Sequence, residues 1–204
     1  MSEGSRDSTR RSNRDRLLEA ALAVFLEQGY ETATIRGITG RAGLAPGTFY
    51  NYFVDKEAIF RAILDGRIAR VAQAVREFRS RALDGEEFIR FAYEAYFRTI
   101  ADDPDSFILA LRNEQVIGSL YRVPVAEAAR TVLLEDLDHA MAQGWLPEVD
   151  REYLAAAFIG VGQEIARLMV QRRPLDPGHA ARFATGLFLG GLDGLPRDAR
   201  EPRG

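Results

Sequence analysis

Residues 34–56 read TIRGITGRAGLAPGTFYNYFVDK, and this stretch decides the fold that the chain is predicted to adopt. Thr34 is a favourable N-cap, and the segment after it is predicted to be helical as far as the glycine at position 43. Pro46 then opens another short helix, because proline is favoured at the first helical position, where its missing N–H costs nothing. Two short helices joined by the turn Gly43-Leu44-Ala45 are the sequence form of a helix-turn-helix.

The second helix of this pair is predicted to have two chemically different faces. Phe49 and Phe53 lie four residues apart and should pack inward. The residues between and before them should point outward, and they are small or carry hydroxyl and amide groups suited to phosphates and base edges. These outward residues are Gly47, Thr48, Tyr50, Asn51 and Tyr52.

Helices are also predicted on both sides of the motif. Ser12 and Asp15 form a capping box before an apolar stripe that Gly29 closes. A long helix is predicted from Asp55 to about Ser80. Residues 1–11 are polar and are predicted to be a disordered tail; its arginines leave open whether it contacts DNA as an arm or is only solvated.

The rest of the chain predicts helices near 86–101, 105–121, 124–143, 150–172 and 177–192, with no segment of sustained period two. We therefore expect an all-α fold of about nine helices. The predicted organisation is a helix-turn-helix DNA-binding domain of three helices over residues 12–54 and a larger helical ligand-binding and dimerisation domain over 55–204.

Composition excludes several classes of function. The 204 residues contain no cysteine, which excludes disulfides and thiolate chemistry. The net charge is -3, so any nucleic-acid contact must be local rather than a property of the whole surface. Apolar runs of about ten residues are too short for a bilayer, which needs roughly twenty. The histidines, His139 and His179, have no ligand spacing, and we expect no metal, no cofactor and no catalytic site.

The stretch LLEAALAVFLEQGYETATIRGITGRAGLAPGTFYNYFVDKEAIFRAIL, within residues 14–64, resembles the signature of TetR-type transcriptional regulators. The resemblance implies an all-helical homodimer that binds palindromic operator DNA. It further implies a ligand-responsive regulator, expected to be a repressor, that a small and largely apolar effector releases from double-stranded DNA. The absence of cysteine fits a cytoplasmic protein.

The resemblance also implies roles for single residues. Thr34, Tyr50, Tyr52 and Lys56 would contact phosphate, while Arg36, Thr48 and Asn51 would contact base edges. Pro46 and Gly47 would bring the helix start close to the duplex. Two alternatives stay open: the tyrosines could serve packing alone, and Lys56, the only lysine among 27 basic residues, could be placed by chance.

The motif departs from the family pattern at three positions. Gly37 and Gly40 lie in the supporting helix, where each glycine costs about 1 kcal/mol of helix propensity relative to alanine. Ala45 stands where a capping serine is usual, so the helix from Pro46 should lack a side-chain cap worth about 1 kcal/mol. These departures predict a helix pair that is soft in the absence of DNA.

The last two predicted helices are rich in glycine and alanine, which permits close helix approach. We expect them to form the homodimer interface, with purely intramolecular contacts as the alternative. Apolar and polar side chains nearby suggest an effector pocket, although most could simply be core. The candidate effector residues are Tyr93, Phe107, Leu111, Arg112, Trp145, Phe158 and Gln163. The rival hypothesis is a helical enzyme or small-molecule carrier in which residues 34–53 only support a pocket.

Overall fold

The structure, a computed structural model, describes residues 3–113 and 124–192. Within these ranges the chain forms only helices, nine in all, and no strand. They are α1 (Glu3–Gln28), α2 (Ile35–Arg41), α3 (Pro46–Phe49), α4 (Lys56–Arg79), α5 (Gly85–Asp102), α6 (Pro104–Arg112), α7 (Pro124–Ala142), α8 (Arg151–Gln171) and α9 (Pro177–Leu192). The predicted all-α fold, with a helix-turn-helix domain before a larger helical domain, is confirmed.

Three helix boundaries differ from the prediction. The first helix begins at Glu3 rather than at Ser12, because adding residues to an existing helix costs far less than starting one and arginine is a good helix former. Residues 3–11, which were predicted to belong to a disordered tail, are therefore part of α1. Helix α3, which was predicted to include Phe53, ends at Phe49, since the Tyr-Asn-Tyr sequence after Phe49 has low helix propensity. The helix predicted over 105–121 ends at Arg112, and residues 114–123 lie outside the described part.

Two compact units divide the chain by packing. The first takes residues 3–67 and 105–113, and the second takes residues 68–104 and 124–192. Thus α4 contributes its first half to one unit and its second half to the other, and α6 belongs with the N-terminal helices. The functional boundary that we placed after residue 54 remains a prediction.

The first unit is organised around one apolar core, formed by α1–α4 and α6. Phe25, Ile38, Phe49, Phe60 and Leu109 are each at most 2% exposed. Burying side chains of this size contributes roughly 1.5–3 kcal/mol each. Because Phe49 lies in this core, the orientation of α3 is tied to that of α1 and α2.

The second unit packs α5 against both α8 and α9, and α7 against α8. Gly162 of α8 lies against the rings of Tyr93 and Tyr96, where an added Cβ would sit 3.5 and 3.4 Å from ring carbons. Close helix approach at a glycine is what the small-residue pattern predicts. By length and composition alone α8 could cross a bilayer. Ala155 and Ala166 of this helix are buried in the second unit.

Candidate nucleic-acid interface and effector region

The turn between α2 and α3 is held by backbone conformation and by one arginine. Gly43 has φ +64°, a left-handed conformation that favours glycine. The Nη2 of Arg16 in α1 donates to the carbonyl oxygen of Ala42 at 2.6 Å and, more weakly, to that of Gly43 at 3.4 Å. Since carbonyls at a helix C-terminus lack intrahelical partners, the guanidinium satisfies groups that the turn would otherwise leave unpaired.

The buried side of α3 agrees with the prediction. Phe49 is fully buried and Phe53 is 6% exposed, with ring centroids 5.7 Å apart. After Phe49 the chain continues in helical turns, because Tyr52 and Phe53 both donate their backbone N–H to the carbonyl oxygen of Phe49, at 2.9 and 3.0 Å. These turns bring Phe53 back to the core side.

The other side of α3 faces solvent in this unit. Pro46, Gly47, Tyr50 and Asn51 are exposed, Tyr50 at 61%, while Thr48 and Tyr52 are half-buried. A Cβ added at Gly47 would meet no atom within 4 Å, so packing does not require glycine there. Ala45 gives α3 no side-chain cap, as the sequence predicts. The exposed side chains thus offer hydroxyl and amide groups above an aromatic anchor.

The start of α2 supplies two more exposed polar groups. Thr34 caps the helix, and its Oγ1 accepts the backbone N–H of Gly37 at 3.1 Å. The hydroxyl hydrogen of Thr34 is therefore still available as a donor. Arg36 follows it and is exposed. Residues 34–56 contain three basic residues, Arg36, Arg41 and Lys56, and one acidic residue, Asp55, which gives this stretch a net charge of +2 in a chain of net charge -3.

Lys56 has a contact that the sequence did not predict. Its Nζ donates to the carbonyl oxygens of Tyr30 at 2.7 Å and Glu31 at 3.0 Å. The same ammonium lies 4.6 Å from the centroid of the Tyr30 ring, which packs 4.7 Å from the ring of Phe60. An ammonium has three N–H donors, so one remains for another acceptor. Lys56 joins the loop after α1 to the first turn of α4.

The candidate effector residues divide between the two units. Phe107, Leu111 and Arg112 belong to the first. Phe107 is buried beneath the guanidinium of Arg67 at 5.3 Å, and Leu111 is half-buried. Arg112 is exposed, and its Nη1 donates to the carbonyl oxygen of Leu26 at 3.1 Å. In this structure Arg112 therefore holds the last turn of α1.

The other four candidates lie in the second unit. Tyr93 is 1% exposed, stacks on Phe158 at 4.3 Å between ring centroids, and donates its hydroxyl to the carbonyl oxygen of Phe158 at 3.2 Å. Burial, with a smaller contribution from Tyr96, raises the pKa of Tyr93. Trp145 is half-buried with its ring 6.0 Å from that of His139, and Gln163 is exposed. The structure thus brings Tyr93 and Phe158 together.

Phe158 also belongs to a set of apolar side chains that we call the inner apolar cluster. They enclose a void too small to hold a water molecule. The cluster comprises Phe88, Ile89, Leu137, Leu146, Leu154, Phe158 and Phe188. Within the described ranges, no group of three or more histidine and acidic side chains is placed to hold a metal ion.

Comparison with known proteins adds to this geometry. Residues 17–63 match the family of bacterial regulatory proteins described as the tetR family. The helix order and the exposed polar face of α3 agree with that match. Residues 17–63 therefore have the tetR-family type of N-terminal domain, and the chain is similar to regulators of that family.

Several TetR-like regulators resemble the chain over most of its length. The HTH-type transcriptional activator FasR of Mycolicibacterium smegmatis is 26% identical over 188 residues, which cover 92% of this chain and 86% of FasR. The fatty acid degradation regulator FadR from Bacillus halodurans has a TM-score of 0.77 at 24% identity, covering 88% of this chain and 96% of that one. FadR from Bacillus subtilis, solved with stearoyl-CoA, has a TM-score of 0.73 at 20% identity, with 87% and 98% covered. At these identities the solved structures establish a shared fold.

The sequence analysis did not predict side-chain contacts between distant segments. The bonds from Lys56 to the loop after α1 and from Arg112 to Leu26 join residues far apart along the chain. It also missed Arg79, whose side chain is only 6% exposed. The one available signal was the position of Arg79 on the apolar stripe of α4, directly after Phe78.

Proposed function

We propose that this chain is a TetR-family regulator, which binds palindromic operator DNA as a cytoplasmic homodimer and acts as a repressor that a small, largely apolar effector releases. The observation that carries the proposal is the exposed polar face of α3, fixed from beneath by Phe49 and Phe53 and set in a locally positive stretch. Two such faces must lie about 34–36 Å apart, or a suitable multiple, to enter successive major grooves on one side of the duplex.

The proposed contacts divide into positioning and reading. Thr34, Tyr50, Tyr52 and the remaining N–H of Lys56 contact phosphates, which fix the register without reading sequence. Arg36, Thr48 and Asn51 contact base edges, where each good bidentate pair contributes about 1–3 kcal/mol of discrimination. Pro46 and Gly47 allow the start of α3 to approach the backbone closely.

The proposed dimer forms through α8 and α9. Leu168, Phe183 and Leu187 are 46, 60 and 54% exposed in the single chain. Gly186 and Gly190 are also exposed, and they lie on α9 with Phe183 and Leu187. Large apolar side chains exposed beside small residues are typical of a surface that another subunit covers. A symmetric pair of these surfaces would form a four-helix bundle.

The proposed effector is an acyl compound that enters the second unit, which lies within residues 55–204, the domain that we assign to ligand binding and dimerisation. The support is the aromatic and aliphatic character of the inner apolar cluster and the Tyr93–Phe158 stack. The chain's likeness in fold to FadR from Bacillus subtilis, which was solved with stearoyl-CoA, supports a ligand with a long acyl chain. A coupling of 1–3 kcal/mol between effector and DNA would weaken operator binding by about 5- to 150-fold.

The direction of regulation has a second candidate. FasR is named an activator, and an activator could use the same DNA face. The rival class, a helical enzyme or carrier, is disfavoured because it gives no reason for exposing Tyr50 and Asn51 beside a cationic stretch. A reporter gene behind the upstream DNA separates repression from activation, since deletion of the regulator raises expression in the first case and lowers it in the second.

The test of DNA binding uses fluorescence anisotropy with a labelled duplex taken from upstream of the protein's own gene. Affinity should be measured at salt concentrations from about 50 to 200 mM, because phosphate contacts make log Kd depend on log salt. We expect saturable, salt-dependent binding that stearoyl-CoA weakens and free CoA does not. Absence of binding at about 50 mM salt, where phosphate contacts are strongest, would favour the carrier.

A further inference from the structure

Arg79 is a buried guanidinium whose hydrogen-bonding groups are only partly used. It lies in the last turn of α4, and the residue is 7% exposed. Its Nη2 forms an ion pair with Asp136 of α7. Its Nε and Nη1 are buried and have no hydrogen-bond partner among the described residues. A guanidinium carries five N–H groups, so three of them, one on Nε and two on Nη1, await an acceptor.

Native proteins rarely leave buried donors unpaired, and those that remain call for an explanation. The ion pair with Asp136 uses only Nη2, so it leaves the donors on Nε and Nη1 without a role. These donors are of the kind that bind carboxylate and phosphate oxygens most strongly. An acceptor that is absent from the single chain would satisfy them.

The charges next to Arg79 favour an anion. Burial is the main influence on its guanidinium and lowers its pKa, while Asp136 acts in the opposite direction and Arg76 adds a second positive charge. Arg79 and Arg76 together outweigh the single carboxylate by one positive charge. The group is therefore not fully neutralised by its own neighbours.

Apolar surface lies directly beside this charge. The guanidinium carbon of Arg79 is 5.4 Å from the centroid of the Phe88 ring. Phe88 is 4% exposed and belongs to the inner apolar cluster. A ligand that satisfied Arg79 would thus continue into aliphatic and aromatic side chains. The cluster is closed in the single chain, so an acyl chain would enter by moving these side chains apart.

We infer that Arg79 binds the anionic head of the effector, and that the inner apolar cluster receives its chain. The ligand class is a long-chain carboxylate, which accepts from Nη1 of Arg79 while Asp136 keeps Nη2. The inference rests on the proposed effector response and specifies its ligand. Arg79 is the last residue of α4 and Lys56 is its first. A ligand at Arg79 would therefore contact the same helix that carries Lys56, a proposed phosphate contact.

The test compares dodecanoate with dodecanol, which have the same chain and differ in the charged head. Calorimetry on the full chain should show dodecanoate binding about tenfold more tightly than dodecanol, as expected for charge-assisted hydrogen bonds. Arg79→Gln should abolish this preference and leave dodecanol binding unchanged. Asp136→Asn should strengthen dodecanoate binding, because it removes a nearby negative charge that repels the ligand carboxylate. Dodecanoyl-CoA, whose thioester is neutral, should lose little affinity in Arg79→Gln.

The matched control is Arg81→Gln, since Arg81 also lies over a phenylalanine ring, Phe78, at 5.4 Å but is exposed. It should leave the preference for dodecanoate unchanged. If circular dichroism shows that Arg79→Gln does not fold, Arg79→Lys replaces it. Lysine retains the charge with fewer donors and should reduce the preference for dodecanoate over dodecanol. A preference that survives in the Arg79 variants would overturn the inference while leaving the acyl effector intact. Failure of the wild-type chain to bind dodecanoate, dodecanol and dodecanoyl-CoA would overturn both.

Discussion

Replacing Lys56 by methionine separates two roles of one ammonium. The side chain stays unbranched but is one atom shorter, and it loses the bonds to the carbonyl oxygens of Tyr30 and Glu31 and the contact of the ammonium with the Tyr30 ring. A hydrogen bond to a charged group contributes about 1.5–3 kcal/mol and an exposed cation–π contact about 0.5–1 kcal/mol. Since Lys56 is half-buried and the freed carbonyls regain water, we expect a loss of about 2 kcal/mol in the free energy of unfolding.

In a chain of this size about 1 kcal/mol shifts the melting temperature by roughly 2–4 °C, so Lys56→Met should melt about 4–8 °C lower, as measured by circular dichroism. It should also flatten the salt dependence of DNA binding by about one unit if the third N–H contacts a phosphate. The control is Arg36→Met, which removes an exposed charge of the same sign and should weaken DNA binding without a comparable shift in melting. A Lys56→Met chain that melts within about 1 °C of the wild type would refute the carbonyl contacts.

The other predictions concern reading, turn geometry and assembly. Asn51→Ala should relax the preference at one base position by about 1–3 kcal/mol without changing the salt slope, which binding to a panel of single-base operator variants measures. Gly43→Ala places a Cβ on a residue with φ +64° and 3.1 Å from Nη2 of Arg16. It should therefore lower the free energy of unfolding, measured by urea titration, by about 1–2 kcal/mol. An unchanged urea midpoint would contradict this prediction. Phe183→Glu should yield monomers in analytical ultracentrifugation, whereas Tyr153→Glu, at an exposed aromatic in the first turn of α8, should not.

The sequence predicted the helices well because local signals decide them. Thr34 as a cap, Pro46 at a helix start and Asp55 before α4 act within a few residues, and each is found where it was expected. The burial of Phe49 and Phe53 followed from their spacing alone. Apolar residues spaced three or four apart specify which face of a helix is buried.

Contacts between distant segments were not predictable in the same way. That Lys56 reaches the loop after α1, or that Arg112 holds Leu26, depends on how helices pack, and no local pattern encodes it. For the same reason the seven candidate effector residues divide between two compact units. Arg79 illustrates a further limit, since an arginine beside an apolar stripe is usually solvated and only its packing shows that it is buried.

Protection of α3 by DNA tests the central claim most directly. Because the chain has no cysteine, Tyr50→Cys introduces a single thiol on the proposed DNA face, and Leu83→Cys places one at a position of the second unit that is 82% exposed. The measurement is the rate of maleimide labelling with and without a saturating amount of the upstream duplex. We predict strongly slowed labelling at position 50 and an unchanged rate at position 83. Equal rates at position 50 with and without DNA, in a sample where anisotropy shows the duplex bound, would contradict the account.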